Sequence, residues 1–296
     1  MSITIGTRGS RLALAQTETV IKKLSPLGIR AEKHIISTQG DITTSVPLHA
    51  IGGQGVFVRA LDDAILAGDI DCAVHSMKDI PAYRPHGLVT AAVLKRDSPA
   101  DYMAHTVPFG KVNVIGTSST RRRAQLLRHD PDITIKELRG NVDTRIRKMD
   151  EGEYDAIILA EAGLTRLGIR IPGERFPPEK FVPSPNQGTV AVVSRADPSL
   201  MEVFSALDHP QTRTDVLIER AVMEQLGGGC FTPLGIYCRA GHLIAEVLSL
   251  DGRRTERIET DVTTIEQARE QGRLLRGSAE DLIDDACRQL GVSHER

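Results

Sequence analysis

The chain has 296 residues, enough for two or three domains with ample core. Its 37 basic residues nearly balance 39 acidic ones, and aromatics make up only 3%, which argues against a general nucleic-acid or membrane-surface binder. No apolar run reaches transmembrane length, no secretion signal precedes the first strand, and Cys72, Cys230, Cys238 and Cys287 lack metal-ligand spacing; the expectation is a cytoplasmic protein with reduced thiols and no metal.

Residues 3–5 read as a strand, Gly6-Thr7-Arg8-Gly9-Ser10 as a turn, and 11–24 as a helix. Leu14, Ile21 and Leu24 lie on or near one face of that helix, and Ser10 is a natural N-cap. A helix N-terminus after such a turn offers free N–H groups to an anion, and Arg8 would add a fork; an ordinary strand–turn–helix with a surface arginine is the competing reading. A strand at 29–37 leads into a glycine-rich loop at 38–55, with Gly40, Gly52, Gly53 and Gly55. A loop of that length is either functional or disordered. A helix at 56–67 is stopped by Gly68.

The apolar run Ala73-Val74 then breaks into four polar groups, His75, Ser76, Lys78 and Asp79, before Pro81 ends the segment. In open α/β sheets ligands sit beyond the carboxyl ends of strands, and a carboxylate, an ammonium and a hydroxyl there suit a charged substrate and proton movement. A solvated charged turn is the alternative. Another apolar strand at 88–93 completes a βαβ-type alternation with a mostly parallel sheet.

Residues 95–111 read as a crossing segment, after which the first pattern recurs. A strand at 112–115 and the turn Gly116-Thr117-Ser118-Ser119-Thr120 precede a helix that Arg121-Arg122-Arg123 opens and that runs to about 128. Arginine outnumbers lysine 28 to 9; a genome-wide codon bias is the competing explanation for that count, so position must decide. Three arginines in a first helical turn oppose the helix dipole, which an anion held there would explain. A strand at 133–138 ends in Arg139-Gly140-Asn141, a helix at 143–149 carries Arg145 and Arg147, and a strand at 155–160 precedes a helical stretch with Arg166 and Gly168. Two lobes with cationic strand ends facing each other would form a cleft for a polycarboxylate or polyphosphate. No Walker-type Gly-Lys-Ser/Thr motif supports a nucleotide.

A proline-rich linker or surface excursion at 171–185 leads through Asn186-Gln187-Gly188 into a strand at 189–194, whose return to the first lobe is the expectation for two α/β lobes joined by crossing segments. Helices at 198–207 and 212–226 follow. The stretch Gly227-Gly228-Gly229-Cys230-Phe231-Thr232-Pro233 presents an accessible thiol able to carry a covalent group, against the plain reading of an ordinary loop cysteine. Short strands at 236–239, 243–248 and 257–262 and an amphipathic helix at 278–290 form a separate small α+β domain.

Together these stretches resemble the porphobilinogen deaminase (hydroxymethylbilane synthase) family of tetrapyrrole and heme biosynthesis. The resemblance rests on Thr7-Arg8-x-Ser10 with Gln16, Val74-His75-Ser76-Met77-Lys78-Asp79-Ile80-Pro81, Gly116-Thr117-Ser118-Ser119-x-Arg121-Arg122, Leu138-Arg139-Gly140-Asn141-Val142-x-Thr144-Arg145, Tyr154-Asp155-Ala156-Ile157-Ile158-Leu159-Ala160, Gln187-Gly188 and Gly228-Gly229-Cys230. It implies two periplasmic-binding-protein-like α/β lobes plus a small α+β C-terminal domain. The lobes are 1–95 with 189–207, bearing a catalytic Asp, and 96–188, bearing anion-binding arginines; 208–296 carries the cofactor cysteine.

The resemblance also implies a transferase in which a dipyrromethane cofactor, joined to Cys230 by a thioether, is extended by four porphobilinogens with loss of ammonia. Water then releases hydroxymethylbilane, which passes to uroporphyrinogen-III synthase; the enzyme is expected to be a monomer. Loss of ammonia leaves an azafulvenium cation, for which Asp79 is the expected anion and proton handler. By the resemblance Cys230, Lys78, Ser76, Thr117, Ser119, Arg121 and Arg122 hold the cofactor, and Arg8, Ser10, Gln16, Arg139, Arg145, Arg166 and Gln187 hold substrate or the growing chain. Gln54 and Arg59 stand where lysine is common in relatives, and Phe231-Thr232 where Gln-Val is frequent. The rival reading is a non-catalytic two-lobed carboxylate-binding protein, which leaves the glycine–cysteine stretch and the third domain idle.

Overall fold

A computed structural model describes residues 2–38, 58–82, 84–227 and 232–292. Most of the glycine-rich loop with Gln54, and Gly228, Gly229, Cys230 and Phe231, lie outside the described residues. The chain divides into two compact units, Met1–Asp97 with Gly188–Arg213 and Ser98–Gln187 with Thr214–Arg296.

The first unit is built on β1 (Ser2–Thr7), β2 (Arg30–Ile35), β3 (Cys72–Ser76), β4 (Leu88–Val93) and β10 (Val190–Arg195), with α1 (Arg11–Leu24), α2 (Arg59–Ala67) and α6 (Pro198–Ser205) packed on the sheet. The order is β2-β1-β3-β10-β4. β1 runs parallel to β2 and β3, and β10 lies antiparallel between β3 and β4, so the strand at 189–194 does return to the first lobe. Ile3, Ile5, Val20, Leu24, Val74, Val192 and Phe204 fill its core. α1 occupies the predicted span, but its buried face is Ala13, Gln16, Thr17, Val20 and Leu24. Two polar residues belong to that face, which is why the apolar residues alone pointed slightly to one side of it.

The second unit repeats the plan. β5 (Asp101–His105), β6 (Val114–Gly116), β7 (Thr134–Lys136), β8 (Ala156–Ala160) and β9 (Gly173–Arg175) form a sheet of order β7-β6-β8-β5-β9. β6 is parallel to β7 and β8, and β5 is antiparallel to β8 and β9. α3 (Thr120–His129), α4 (Val142–Asp150) and α5 (Glu161–Leu167) complete the lobe. The same unit holds α7 (Pro210–Leu226) from Thr214 onward. It also holds an antiparallel sheet of β11 (Leu234–Arg239), β12 (His242–Leu248) and β13 (Thr255–Asp261), with α8 (Ile265–Ser278) and α9 (Glu280–Leu290). The C-terminal core gathers Ile218, Val222, Leu226, Ile236, Leu243, Val247, Leu275 and Ile283. The fold is therefore two sheet-containing α/β lobes and a small α+β C-terminal domain.

Three elements differ from the sequence reading. The supposed crossing segment at 95–111 contains β5, and the proline-rich stretch contains β9, whose Gly-Glu-Arg has no apolar pattern and needs none at a sheet edge. α8 escaped notice because its inward face is small: Ala268, Gly272 and Leu275 are its buried residues, and a Cβ on Gly272 would sit 2.8 Å from Gln225 Cβ.

Candidate active site

In the first unit β3 is buried through His75, and the chain turns outward in a 3-10 turn at Met77–Asp79. Met77 is buried and its N–H donates to Thr189 O at 2.9 Å, which anchors the turn, whereas Asp79 is exposed. Gln16 Nε2 donates to Ser76 Oγ at 2.8 Å, so two expected site residues meet at the end of β3. Ser10 caps α1, its Oγ accepting from Ala13 N at 3.3 Å, as its position at the turn predicts. Arg8 and Lys78 are half-buried on the same strand ends, β1 and β3. Arg59, the first residue of α2, is exposed.

Two residues that the sequence reading did not single out lie close by. Arg84 Nη2 donates to the buried Asp62 of α2, a bond that ties the segment after Asp79 to that helix. Burial raises the Asp62 pKa against the opposing pull of Arg84. Burial, with the Arg84 and Arg8 charges adding, pushes His75 down to about 3, so the imidazole is neutral at physiological pH. The unfolded chain titrates near 6.5 and takes the proton first. Stability from this group is therefore present above about pH 6.5 and lost toward about pH 3, at up to about 1.4 kcal/mol per pH unit. His75→Gln is expected to flatten that part of the acid-unfolding profile; a profile identical to wild type would place the imidazole in water.

In the second unit the turn after β6 mirrors the turn after β1. Gly116 lets the strand end close on its neighbours, since a Cβ there would lie 2.8 Å from Tyr154 Cδ1 and 3.0 Å from Leu138 Cδ2. Thr117 Oγ1 accepts from Ser119 N at 3.2 Å, and Ser119 caps α3 by accepting from Arg122 N at 3.4 Å.

The side chains of Arg121 and Arg122 turn inward onto one carboxylate. Arg122 Nη2 and Nε lie 2.7 Å and 3.1 Å from Asp101 Oδ1, and Arg121 Nη2 lies 2.8 Å from Asp101 Oδ2. Among the described residues, the anion in contact with Arg121 and Arg122 is the Asp101 side chain, which the sequence reading did not foresee. Burial opposes ionisation of Asp101, but Arg121, Arg122 and hydrogen bonds from Arg122 and Gln187 outweigh it and hold the carboxyl well below the usual carboxylate range. Sequence reasoning missed Asp101 because it opens β5. That strand is antiparallel, so its first residue pairs with Ala160 at the carboxyl end of β8, at the same end of the sheet as the βα turns.

Gln187 is fully buried and donates to Pro99 O at 2.8 Å and to Asp101 Oδ1 at 3.0 Å. Arg139 is half-buried at the turn after β7, Arg145 Nε donates to Gly140 O at 2.7 Å, and Arg166 is half-buried on α5. Cys230, with its glycines, is outside the described residues. Among the described residues no group of three or more His, Cys, Asp or Glu is placed to hold a metal, and no helix is long and apolar enough to cross a membrane.

Residues 3–202 match the family model for "Porphobilinogen deaminase, dipyromethane cofactor binding domain", and residues 213–281 match that for "Porphobilinogen deaminase, C-terminal domain". A probable porphobilinogen deaminase of Methanosarcina acetivorans is 51% identical over 97% of this chain and 95% of its own length. The porphobilinogen deaminase of Rubrobacter xylanophilus is 45% identical over 81% of this chain and 80% of its own length. Among solved structures, a periplasmic substrate-binding protein of an ABC transporter from Coxiella burnetii aligns with a TM-score of 0.43 and 15% identity, covering 72% of this chain and 94% of that one. That likeness is too distant to bear on function.

Proposed function

The chain belongs to the porphobilinogen deaminase family, and from that premise we propose that Asp79 is its catalytic carboxylate and Cys230 the point at which its dipyrromethane primer is attached. Its activity is the family's: a transferase of tetrapyrrole biosynthesis that condenses porphobilinogen with loss of ammonia and yields hydroxymethylbilane. The non-catalytic carboxylate-receptor reading falls with that assignment.

The donor set fits a primer that carries acetates and propionates. Two buried guanidinium groups, Arg121 and Arg122, contact one buried carboxylate, Asp101, while Glu246 acts on Arg121 only through its field, so the pair carries one positive charge more than the carboxylate that touches it. A buried surplus charge is costly unless an anion meets it, and this surplus is the observation that supports carboxylate binding here. When bound, the dipyrromethane would supply the free pyrrole α-carbon onto which the first porphobilinogen is condensed, each later one adding to the newly terminal ring.

We assign Lys78, Arg121 and Arg122 to the primer's carboxylates, with Ser76, Thr117 and Ser119 as hydrogen-bonding neighbours. Arg8, Arg139, Arg145 and Arg166 bind the carboxylates of substrate and growing chain, supported by Ser10 and Gln16. Asp79 is exposed on the turn that follows β3, and a carboxyl group so placed suits the tasks of stabilising the cation formed as ammonia leaves the substrate and taking up the proton lost at carbon. The proposal keeps the division into 1–95 with 189–207, 96–188 and 208–296, with carboxylate, arginines and cysteine in turn. It also includes hand-off of the product to uroporphyrinogen-III synthase and a cytoplasmic monomer.

The test is the intact mass of the purified, reducing-agent-treated protein, followed by peptide mapping. The expected result is an excess equal to two deaminated porphobilinogen units on the Cys230 peptide. A protein that stays unmodified even after incubation with porphobilinogen or hydroxymethylbilane would overturn the assignment.

A further inference from the structure

We propose that Asp101, pinned by Gln187, is a positioning residue that holds the Arg121–Arg122 pair in its primer-binding arrangement; this rests on reading that pair as primer-binding. Successive residues on a helix point about 100° apart, so two adjacent arginines do not share a target by default. Here one carboxylate gathers both, because antiparallel β5 begins beside the start of α3. Each fork is then fixed at a second point. Arg121 Nη1 donates to Val182 O at 2.9 Å, and its guanidinium lies 5.8 Å from the Phe181 ring centroid. Arg122 Nη1 donates to Ile158 O at 2.8 Å.

Gln187 has two amide protons, and both are committed, one to Pro99 O and one to Asp101 Oδ1. Its amide nitrogen therefore acts on the arginines through the Asp101 carboxylate. The residue before it is held as well. Asn186 sits at φ 63°, and its N–H donates to the buried Glu219 Oε2 of α7 at 2.5 Å; the other oxygen of Glu219 accepts from Cys238 N at 2.8 Å. The turn that aims Gln187 is thus bolted to the helix that runs toward the cysteine segment.

Asp101→Asn keeps one acceptor oxygen but removes the negative charge and puts an NH2 donor where one of the two carboxylate oxygens stood, so one fork loses its partner, two like charges lie buried side by side without a counter-charge, and the forks separate. The experiment compares wild type with Asp101→Asn, Gln187→Leu and the double variant, all made as apo-protein. The readouts are the fraction converted to the primer-carrying mass by hydroxymethylbilane, and thermal unfolding measured alongside. Asp101→Asn is expected to lower loading of folded protein about ten-fold or more, the scale for breaking a buried charge pair. Gln187→Leu is expected to lower it several-fold, and the double variant to load no worse than Asp101→Asn, because contributions routed through one group do not add.

A purely structural Asp101 would lower the unfolding temperature and leave loading of folded protein unchanged, which overturns the proposal. Losses that multiply in the double variant would also overturn it, since Gln187 would then touch the ligand itself. Should Asp101→Asn fail to fold, Gln187→Leu decides: reduced loading supports the proposal and normal loading sinks it. A wild type that never loads removes the underlying reading, whereas a loaded wild type beside a loaded Asp101→Asn removes only this one.

Discussion

Asp79→Asn lowers kcat by about 10²–10⁴-fold, the contribution expected of a positioned group that handles a proton in the transition state. That corresponds to about 3–5 kcal/mol of lost stabilisation. The substitution preserves size and removes both the charge and the basic oxygen. Asp79 is exposed on its 3-10 turn, and the turn is fixed by neighbours other than Asp79: buried Met77, whose N–H donates to Thr189 O, and the Gln16–Ser76 bond at the end of β3. A surface change of this kind costs less than about 0.5 kcal/mol of folding stability. The variant therefore accepts the primer from preformed hydroxymethylbilane and retains the wild-type unfolding temperature, and the loss falls on turnover. Single-turnover measurement with porphobilinogen separates the steps: binding proceeds and condensation does not. Near-normal bilane release by a fully loaded variant would take Asp79 out of the chemistry.

What could be read in advance was local. The Gly-Thr turns after β1 and β6 and the caps Ser10 and Ser119 are short-range features, in which a glycine allows a close approach and a hydroxyl answers a free N–H. The boundaries of α1 and β4 and the outward break after His75 followed from the same kind of signal, whereas the return of β10 to the first sheet was expected from the connectivity of two-lobed α/β chains. The ion pairs that organise the interior were not local. Asp101 reaches Arg121 and Arg122 across about twenty residues, and only the antiparallel slot of β5, which polar ends and Pro99 disguise, brings it there. Arg84 meets Asp62 on the same terms, from a loop onto the inward face of α2. Gln187 was marked as a site residue by its neighbours in the chain, yet which atoms it touches depends on where β5 begins.

Cys230→Ser abolishes primer attachment and, with it, turnover. The change replaces one sulfur by oxygen, so its effect is chemical: a thiol is a few per cent thiolate near neutrality and strongly nucleophilic, while a serine hydroxyl is neither without a base beside it. The flanks of the cysteine segment are anchored independently of residue 230. Leu226 at the end of α7 is fully buried, and Thr232 is buried just before β11 opens at Leu234. The variant therefore folds as the wild type does.

The remaining thiols are poor substitutes. Cys72 lies in β3 with no exposure, and burial pushes its thiol up; Cys238 is buried in β11; Cys287 is only half-buried on α9, but burial and then Asp284 push it up as well. Among the four cysteines, Cys230 alone follows three glycines and precedes Thr-Pro, and glycine is the residue that tolerates close approach of another group. The expected spectrum for Cys230→Ser is a single unmodified mass after incubation with hydroxymethylbilane, beside a wild type that carries the excess of two pyrrole units. Retention of that excess, mapped to the Cys287 peptide, would move the attachment point to the C-terminal helix and leave the glycine–cysteine segment without its role.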